Sequence, residues 1–268
     1  MALFGFIGAG NMGYPLLKAA IATFGTEQVI YTTNSMERNQ FLMEDTGIKY
    51  TDNNKATALN CKYLILAVKP QVYPEVLEEI KDVLKDNQII ISIAAGITID
   101  TIKEMLGSSV RIVRAMPNTP ALVGQGMTGI SFSGDTFTED EKIDIDKFFN
   151  SFGRYEVFDE TLIDAVVCAS GSSPAYVYMF IEALADSVVS YGMPRDKAYT
   201  MAAQAVLGAA AMVLETKEHP GALKDKVCSP GGTTIAAVKA LEENGFRNAI
   251  IKATDANYAK SLELSKSK

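Results

Sequence analysis

Leu3-Phe4-Gly5-Phe6-Ile7-Gly8-Ala9-Gly10-Asn11-Met12-Gly13 decides the fold. Residues 3–7 are a short apolar strand, and beyond the glycines a helical pattern runs over residues 14–23. Three glycines spaced G-x-G-x-x-G carry meaning only between a strand and a helix, and here they sit there. Gly8 permits a tight turn, Gly10 lets a pyrophosphate approach the backbone, and Gly13 lets helix and strand pack closely. The unit predicts the opening βαβ of a doubly wound parallel sheet with a dinucleotide at its carboxyl edge.

Working outward, residues 28–32 form the second strand. An NAD-preferring site ends this strand with an acid that binds the ribose hydroxyls. Here the strand ends Thr32-Thr33-Asn34-Ser35, with Arg38 one turn on. No carboxylate stands there to repel a 2′-phosphate, and hydroxyl, amide and guanidinium groups are at hand to hold one. NADP(H) is therefore favoured, with NAD(H) the alternative. Asn34-Ser35 also reads as the cap of the next helix. Asn53-Asn54-Lys55-Ala56 opens a short helix, and residues 63–68 are a fully apolar central strand ending in Lys69-Pro70-Gln71. Residues 75–84 read as a helix and 88–93 as a strand ending in Ala94-Ala95-Gly96. Strand 111–115 leads into Met116-Pro117-Asn118-Thr119-Pro120, where two prolines stiffen a loop that presents Asn118 and Thr119. Residues 129–132 and 155–157 are the last strands, with a helix over 140–149 between them.

After residue 158 strand signals vanish and helical periodicity takes over. The expected division is a dinucleotide-binding Rossmann-like domain, residues 1–158, and an all-helical domain, residues 159–268. In the second part residues 159–169 read as a helix and Ser170-Gly171-Ser172-Ser173 as a loop, with Ser173 capping a helix that Pro174 begins. Residues 198–214 are shorter than the roughly 20 a membrane span needs, so they read as a buried helix. A helix apolar on most faces in so small a domain calls for a neighbouring subunit over one side. Val227-Cys228-Ser229-Pro230-Gly231-Gly232-Thr233-Thr234 then leads another helix. Ser229 reads as its N-cap and Pro230 as its first residue. Bare amides at Gly231 and Gly232, the positive end of the helix dipole, and the hydroxyls of Thr233 and Thr234 read as a pocket for a small carboxylate, the alternative being an ordinary capped helix with a glycine-rich lead-in. The terminal Ser265-Lys266-Ser267-Lys268 reads as a frayed end.

Net charge of −7 argues against nucleic acid or an anionic membrane surface as partner, but not against a small anion that feels only the local field. Cys61, Cys168 and Cys228 lie far apart, which fits free thiols in a reducing cytoplasm and excludes a disulfide framework or metal site. No basic leader precedes the first strand, so no signal peptide is expected.

Taken together, the chain resembles the pyrroline-5-carboxylate reductase family over essentially its whole length. The resemblance rests on the glycine fingerprint, Ala67-Val68-Lys69-Pro70-Gln71, Met116-Pro117-Asn118-Thr119-Pro120, Pro174-Ala175-Tyr176, His219-Pro220-Gly221 and, most specifically, Ser229-Pro230-Gly231-Gly232-Thr233-Thr234-Ile235. Ser173 stands where the family usually has glycine; it suits an N-cap and would be strained at positive φ. The resemblance implies hydride transfer from NAD(P)H to the C5=N bond of 1-pyrroline-5-carboxylate, giving L-proline. It also implies a helical domain that interlocks in a homodimer, often within a larger ring of dimers. Matched by position, Ile7, Gly8, Ala9, Gly10, Asn11, Met12, Asn34, Asn54, Ala67, Val68, Lys69, Pro70 and Ala95 would contact cofactor, joined by Ser35, Arg38 and Asn118. Glu160, Lys226, Thr233 and Thr234 would contact substrate or product, with Ser229, Gly231 and Gly232; Lys226 replaces the usual amide residue.

The chemistry agrees with what the chain lacks. Its one histidine, His219, sits in a His-Pro-Gly turn and reads as a structural hydrogen-bonder. A protonated cyclic imine already carries the electrophile's charge, so its reduction needs orientation and a grip on the carboxylate more than a strong general acid. Thr234 is the candidate to hydrogen-bond the ring nitrogen. Lys69 reads as a cofactor ligand rather than an acid. Two other readings are a β-hydroxyacid dehydrogenase-like reductase, for which no motif surrounds Lys197, Lys224 or Lys239, and a dinucleotide sensor without catalysis.

Overall fold

The computed structural model describes residues 1–266; of the frayed end expected at the C-terminus, Ser267 and Lys268 lie outside them, while the backbone before them is helical to Lys266. Seven strands, β1 (Ala2–Ile7), β2 (Val29–Thr32), β3 (Cys61–Leu66), β4 (Ile89–Ser92), β5 (Arg111–Met116), β6 (Gly126–Phe132) and β7 (Gly153–Val157), form one sheet ordered β2-β1-β3-β4-β5-β6-β7. All neighbours are parallel except β5 and β6. Helices α1 (Gly13–Phe24), α2 (Met36–Thr46), α3 (Asn54–Leu59), α4 (Tyr73–Ile80), α5 (Ile99–Leu106), α6 (Glu139–Asn150) and the short α7 (Ile163–Val166) accompany it. Five more follow: α8 (Ser173–Ser190), α9 (Arg195–Thr216), α10 (Pro220–Val227), α11 (Thr233–Glu243) and α12 (Phe246–Lys266). The doubly wound sheet followed by an all-α region is the expected fold. Helix α5, capped by the Thr98 hydroxyl, is an addition to the elements read from sequence.

The chain divides into two compact units: residues 1–172 with 258–268, and residues 173–257. In the sheet unit, apolar side chains are buried on both faces. One face packs around Phe4, Phe6, Tyr63, Phe148 and Phe149, the other around Ile7, Leu64, Leu66, Leu77 and Ile102. Burial on both sides is why the β3 sequence shows no alternation: Tyr63, Leu64, Ile65 and Leu66 are all fully buried. The order β2-β1-β3 means that the chain leaves β1 in one direction and, after β2, crosses back over it. A crevice therefore opens at the carboxyl ends of β1 and β3.

The helical unit differs from expectation in three places. First, the segment before α8 is not a loop. Residues Val167–Gly171 form a π turn that leads into the helix, and Ser173 lies within it. Lys217 is the one non-glycine residue at positive φ among those described, so Ser173 is unstrained. Second, α9 is not buried within the chain; only Ala198 and Ala202 are, while Met201, Leu207, Met212 and Leu214 are exposed. Its 22 residues also make it the one described helix long and apolar enough to cross a membrane. Third, the helix after the Ser-Pro-Gly-Gly stretch starts later. Gly232 is its N-cap and Thr233 its first residue. Ser229-Pro230-Gly231-Gly232 instead forms a turn closed by a hydrogen bond from the Gly232 amide to the Ser229 carbonyl at 3.1 Å. Gly231 has φ +68°, the left-handed value a type II turn demands after a proline.

Candidate functional site

A cavity of about 710 Å³ opens where β1, β2 and β3 end. Gly8, at φ +87°, turns the chain out of β1, and a Cβ there would lie 2.7 Å from the Ala67 carbonyl oxygen. At Gly13 an added Cβ would strike that of Ala67 at 2.8 Å, so this glycine sets how closely α1 approaches β3. By contrast, a Cβ at Gly10 would meet nothing within 4 Å, so the backbone there is bare toward the cavity. An open glycine at a helix N-terminus, beside hydroxyl, amide and guanidinium donors, suits a dinucleotide's phosphates.

Twelve of the sixteen expected cofactor residues line this cavity: Ile7, Gly8, Ala9, Gly10, Asn11, Asn34, Ser35, Arg38, Asn54, Ala67, Val68 and Lys69. The Ser35 hydroxyl caps α2 by accepting from the Arg38 amide at 3.2 Å. The Lys69 carbonyl accepts from the Val72 amide at 3.0 Å in the turn Pro70–Val72, while the side-chain ammonium makes no hydrogen bond or ion pair among the described residues. Four candidates lie off the cavity. Met12 packs against the core, and Pro70 opens the turn below it. Ala95 follows β4. Asn118 is 7% exposed, and its amide is committed: Nδ2 donates to the Ser170 carbonyl and Oδ1 accepts from Met127. It latches the Met-Pro-Asn-Thr-Pro loop rather than presenting a free group.

The cavity also holds residues that sequence reasoning missed: Thr33, Val72, Glu75, Val76 and Glu79. The last four follow a signal that was available. They recur at i, i+3, i+4 and i+7 on the turn and helix after β3, so they share one face. Glu79 Oε2 accepts from Asn54 Nδ2 at 2.7 Å. A carboxylate only accepts, so this bond fixes which way the Asn54 amide points.

The expected substrate residues fall in both units. In the sheet unit, Glu160 Oε1 accepts from the Ile99 amide at 2.8 Å and from Arg114 Nη1 at 2.9 Å. It thereby holds the α5 N-terminus and neutralises a guanidinium that is only 4% exposed. In the helical unit, Lys226 Nζ is paired with Glu218 Oε2 at 2.5 Å. Ser229, Gly231 and Gly232 form the turn before α11. No side chain caps this helix, and its first intrahelical bond runs from the Ala236 amide to Gly232. The amides of Thr233, Thr234 and Ile235 are thus the free donors at its positive end, with two threonine hydroxyls beside them. The helix start read from sequence at Gly231 and Gly232 therefore shifts, and the free amides are those of Thr233, Thr234 and Ile235. His219 has the structural role expected: it caps α10, its Nδ1 accepting from the Gly221 amide at 3.0 Å. The three cysteines are free; burial pushes the Cys61 thiol up to about 12, which leaves it unreactive.

A doubly wound sheet with a glycine-floored cavity, followed by an all-helical region, defines a dinucleotide-dependent oxidoreductase. Residues 3–96 match the family described as "NADP oxidoreductase coenzyme F420-dependent", and residues 160–264 match "Pyrroline-5-carboxylate reductase dimerisation". Pyrroline-5-carboxylate reductase of Escherichia coli (strain K12) is 49% identical over 265 residues, covering 98% of each chain. The solved structure of a pyrroline-5-carboxylate reductase from Coxiella burnetii has a TM-score of 0.91 at 36% identity, covering 98% of each chain. That of Plasmodium falciparum pyrroline carboxylate reductase, with NADP bound, has a TM-score of 0.87 at 32% identity and the same coverage. The chain belongs to the pyrroline-5-carboxylate reductase family: it is an oxidoreductase of proline biosynthesis, acts on the CH–NH group of a small molecule, and is a homo-oligomer. Neither the non-catalytic sensor nor the hydroxyacid reductase describes it.

Proposed function

We propose that this protein reduces 1-pyrroline-5-carboxylate to L-proline with NADPH in preference to NADH, in the cytoplasm, as a dimer that assembles further into a ring. Functionally we divide it at residue 158, with nucleotide binding before and substrate binding and dimerisation after. The preference for NADPH rests on Arg38, Asn34 and Ser35 lining the cavity where a ribose-binding acid would otherwise stand.

The observation that carries the reading is the uncapped start of α11. Its three free amides and positive dipole suit the substrate carboxylate, and the Thr234 hydroxyl suits the ring nitrogen. A bound dinucleotide supplies the hydride. The imine carbon, C5 in proline numbering, receives it as the C=N bond becomes single, and the iminium nitrogen keeps the proton it arrived with. The reduced ring then leaves as proline, its carboxylate released from the Thr233, Thr234 and Ile235 amides. Held at both carboxylate and nitrogen, the ring has one face to offer, and orientation of this kind contributes several orders of magnitude in rate. Thr234→Val should lower kcat/KM by about 10²-fold, as for loss of one positioned donor. NADPH affinity, measured by fluorescence titration, should stay within about twofold. Wild-type turnover in this variant would remove Thr234 from the reaction.

A further inference from the structure

Arg38 reaches the cavity wall from α2, and it is gripped from behind. Its Nε donates to the carbonyl of Ala9 at 2.9 Å. Its Cζ lies 5.0 Å from the centre of the Tyr14 ring and 4.9 Å from that of Phe41. Those rings are 6.1 Å apart, and neither lines the cavity. The Tyr14 ring is tethered in turn: its hydroxyl donates to Asp45 Oδ2 at 2.9 Å, and Lys18 Nζ stands 3.3 Å from the same oxygen. What remains free is the outer edge of the guanidinium. Its two terminal nitrogens make no hydrogen bond within the described protein, although the residue is half-buried. A planar fork fixed at Nε and packed against two neighbouring rings presents parallel donors that match phosphate oxygens two at a time. Holding it before the ligand arrives removes the ordering that a flexible arginine would undergo on binding.

We infer that Tyr14, tethered through Asp45, is a positioning residue that sets the preference for a 2′-phosphorylated nucleotide by holding Arg38 as a preformed anion fork. The inference rests on the reading of Arg38 as the 2′-phosphate ligand, and its test separates the two. Calorimetric titration of the full-length protein with adenosine 2′,5′-bisphosphate and with adenosine 5′-monophosphate isolates the contribution of the 2′-phosphate without turnover. Arg38→Ala should bring the two affinities within about twofold of each other, since the bidentate partner is gone. Tyr14→Leu should weaken the bisphosphate about fivefold to tenfold, the range of a partly desolvated cation–π contact, and leave the monophosphate within about twofold. Tyr14→Phe keeps the ring and loses only the tether, so it should recover most of that loss. Phe41→Ala, at an exposed position, removes the second ring and should weaken the bisphosphate about threefold. An unchanged ratio in Tyr14→Leu and Phe41→Ala, with the ratio abolished in Arg38→Ala, overturns the clamp and leaves the phosphate site standing. A Tyr14→Phe variant as weak as Tyr14→Leu places the effect in the Asp45 bond and overturns the ring as the group that holds Arg38. An unchanged ratio in Arg38→Ala overturns both.

Discussion

The two units use apolar side chains in opposite ways. In the sheet unit whole strands vanish from solvent, and residues as large as Tyr31, Tyr63 and Phe148 are fully buried. In residues 173–257 the buried apolar side chains are three alanines, Ala185, Ala198 and Ala202. Leucines and methionines are not lacking there: Met179 is 68% exposed, Met201 61% and Leu207 55%. The difference is one of layers. A sheet with helices on both faces closes its own core, whereas helices in one chain leave faces that only another layer can cover. Stability of the first unit is therefore intramolecular, and that of the second depends on assembly and hence on concentration.

The strongest way to break this contrast is to place charge on α9. Leu207 and Leu214 are seven residues apart, so they share a face, and both are exposed in the single chain. Glutamate at both positions forfeits about 1.5–3 kcal/mol of burial per leucine and leaves unpaired carboxylates in an apolar interface. In a two-fold contact each change counts twice. Dimer affinity should fall by at least about a thousandfold, roughly 4 kcal/mol. Light scattering should show monomer at micromolar concentration, with helical circular dichroism lost on dilution while NADPH binding persists. An unaltered mass at every concentration would mean that this face is not what assembly covers.

The opposite experiment acts inside the sheet unit. The Phe148 ring packs 4.9 Å from Phe4 and 5.3 Å from Phe152, and the residue is fully buried. Phe148→Ala leaves a cavity between sheet and helix and should cost about 3–5 kcal/mol. Raising the protein concentration should not restore the lost stability, because no second chain supplies the missing contacts. A concentration-dependent recovery would show that the sheet unit also leans on assembly.

The same contrast governs what could be read from sequence. The strands of the sheet unit were plain because burial on both faces writes itself as an unbroken apolar run. The cavity was plain because its glycines each meet a distinct steric demand. Helix α5 could have been read from Thr98 as cap with Ile99, Ile102 and Leu106 on one face, a pattern muted by the Asp100, Lys103 and Glu104 between them. At Ser229-Pro230-Gly231-Gly232 the local signals conflict: serine then proline suits both a helix start and the first half of a turn, and the positive φ of Gly231 decides for the turn. The exposure of α9 was legible in part: its all-round hydropathy called for a neighbouring subunit over one side, but not for how few of its residues this chain buries. Glu160 was equally opaque, because its partner Arg114 lies 46 residues away in sequence.

A finer probe tests the claim that the sheet unit is stabilised from within by charge as well as packing. Glu141 sits in the first turn of α6, where its carboxylate accepts from the Thr138 amide at 2.9 Å and from Arg111 Nη1 at 2.7 Å. Its side chain is 7% exposed. Burial pushes this carboxyl up, but the Thr138 amide and the Arg111 guanidinium together outweigh it, and the net shift is below the usual value of 4.5. A carboxylate whose folded pKa is depressed stabilises the fold above its unfolded pKa, and loses that contribution as pH falls through the folded value. Glu141→Gln keeps an acceptor for Thr138 but removes the charge facing Arg111. It should destabilise by about 1–3 kcal/mol at pH 7, the range for a hydrogen bond to a charged group. Urea titrations should show the gap between wild type and variant narrowing below about pH 4, because acid neutralises Glu141 in the wild type and leaves the variant's uncharged amide as it was. An equal gap at pH 7 and in acid would assign the stabilisation to shape rather than to the ion pair.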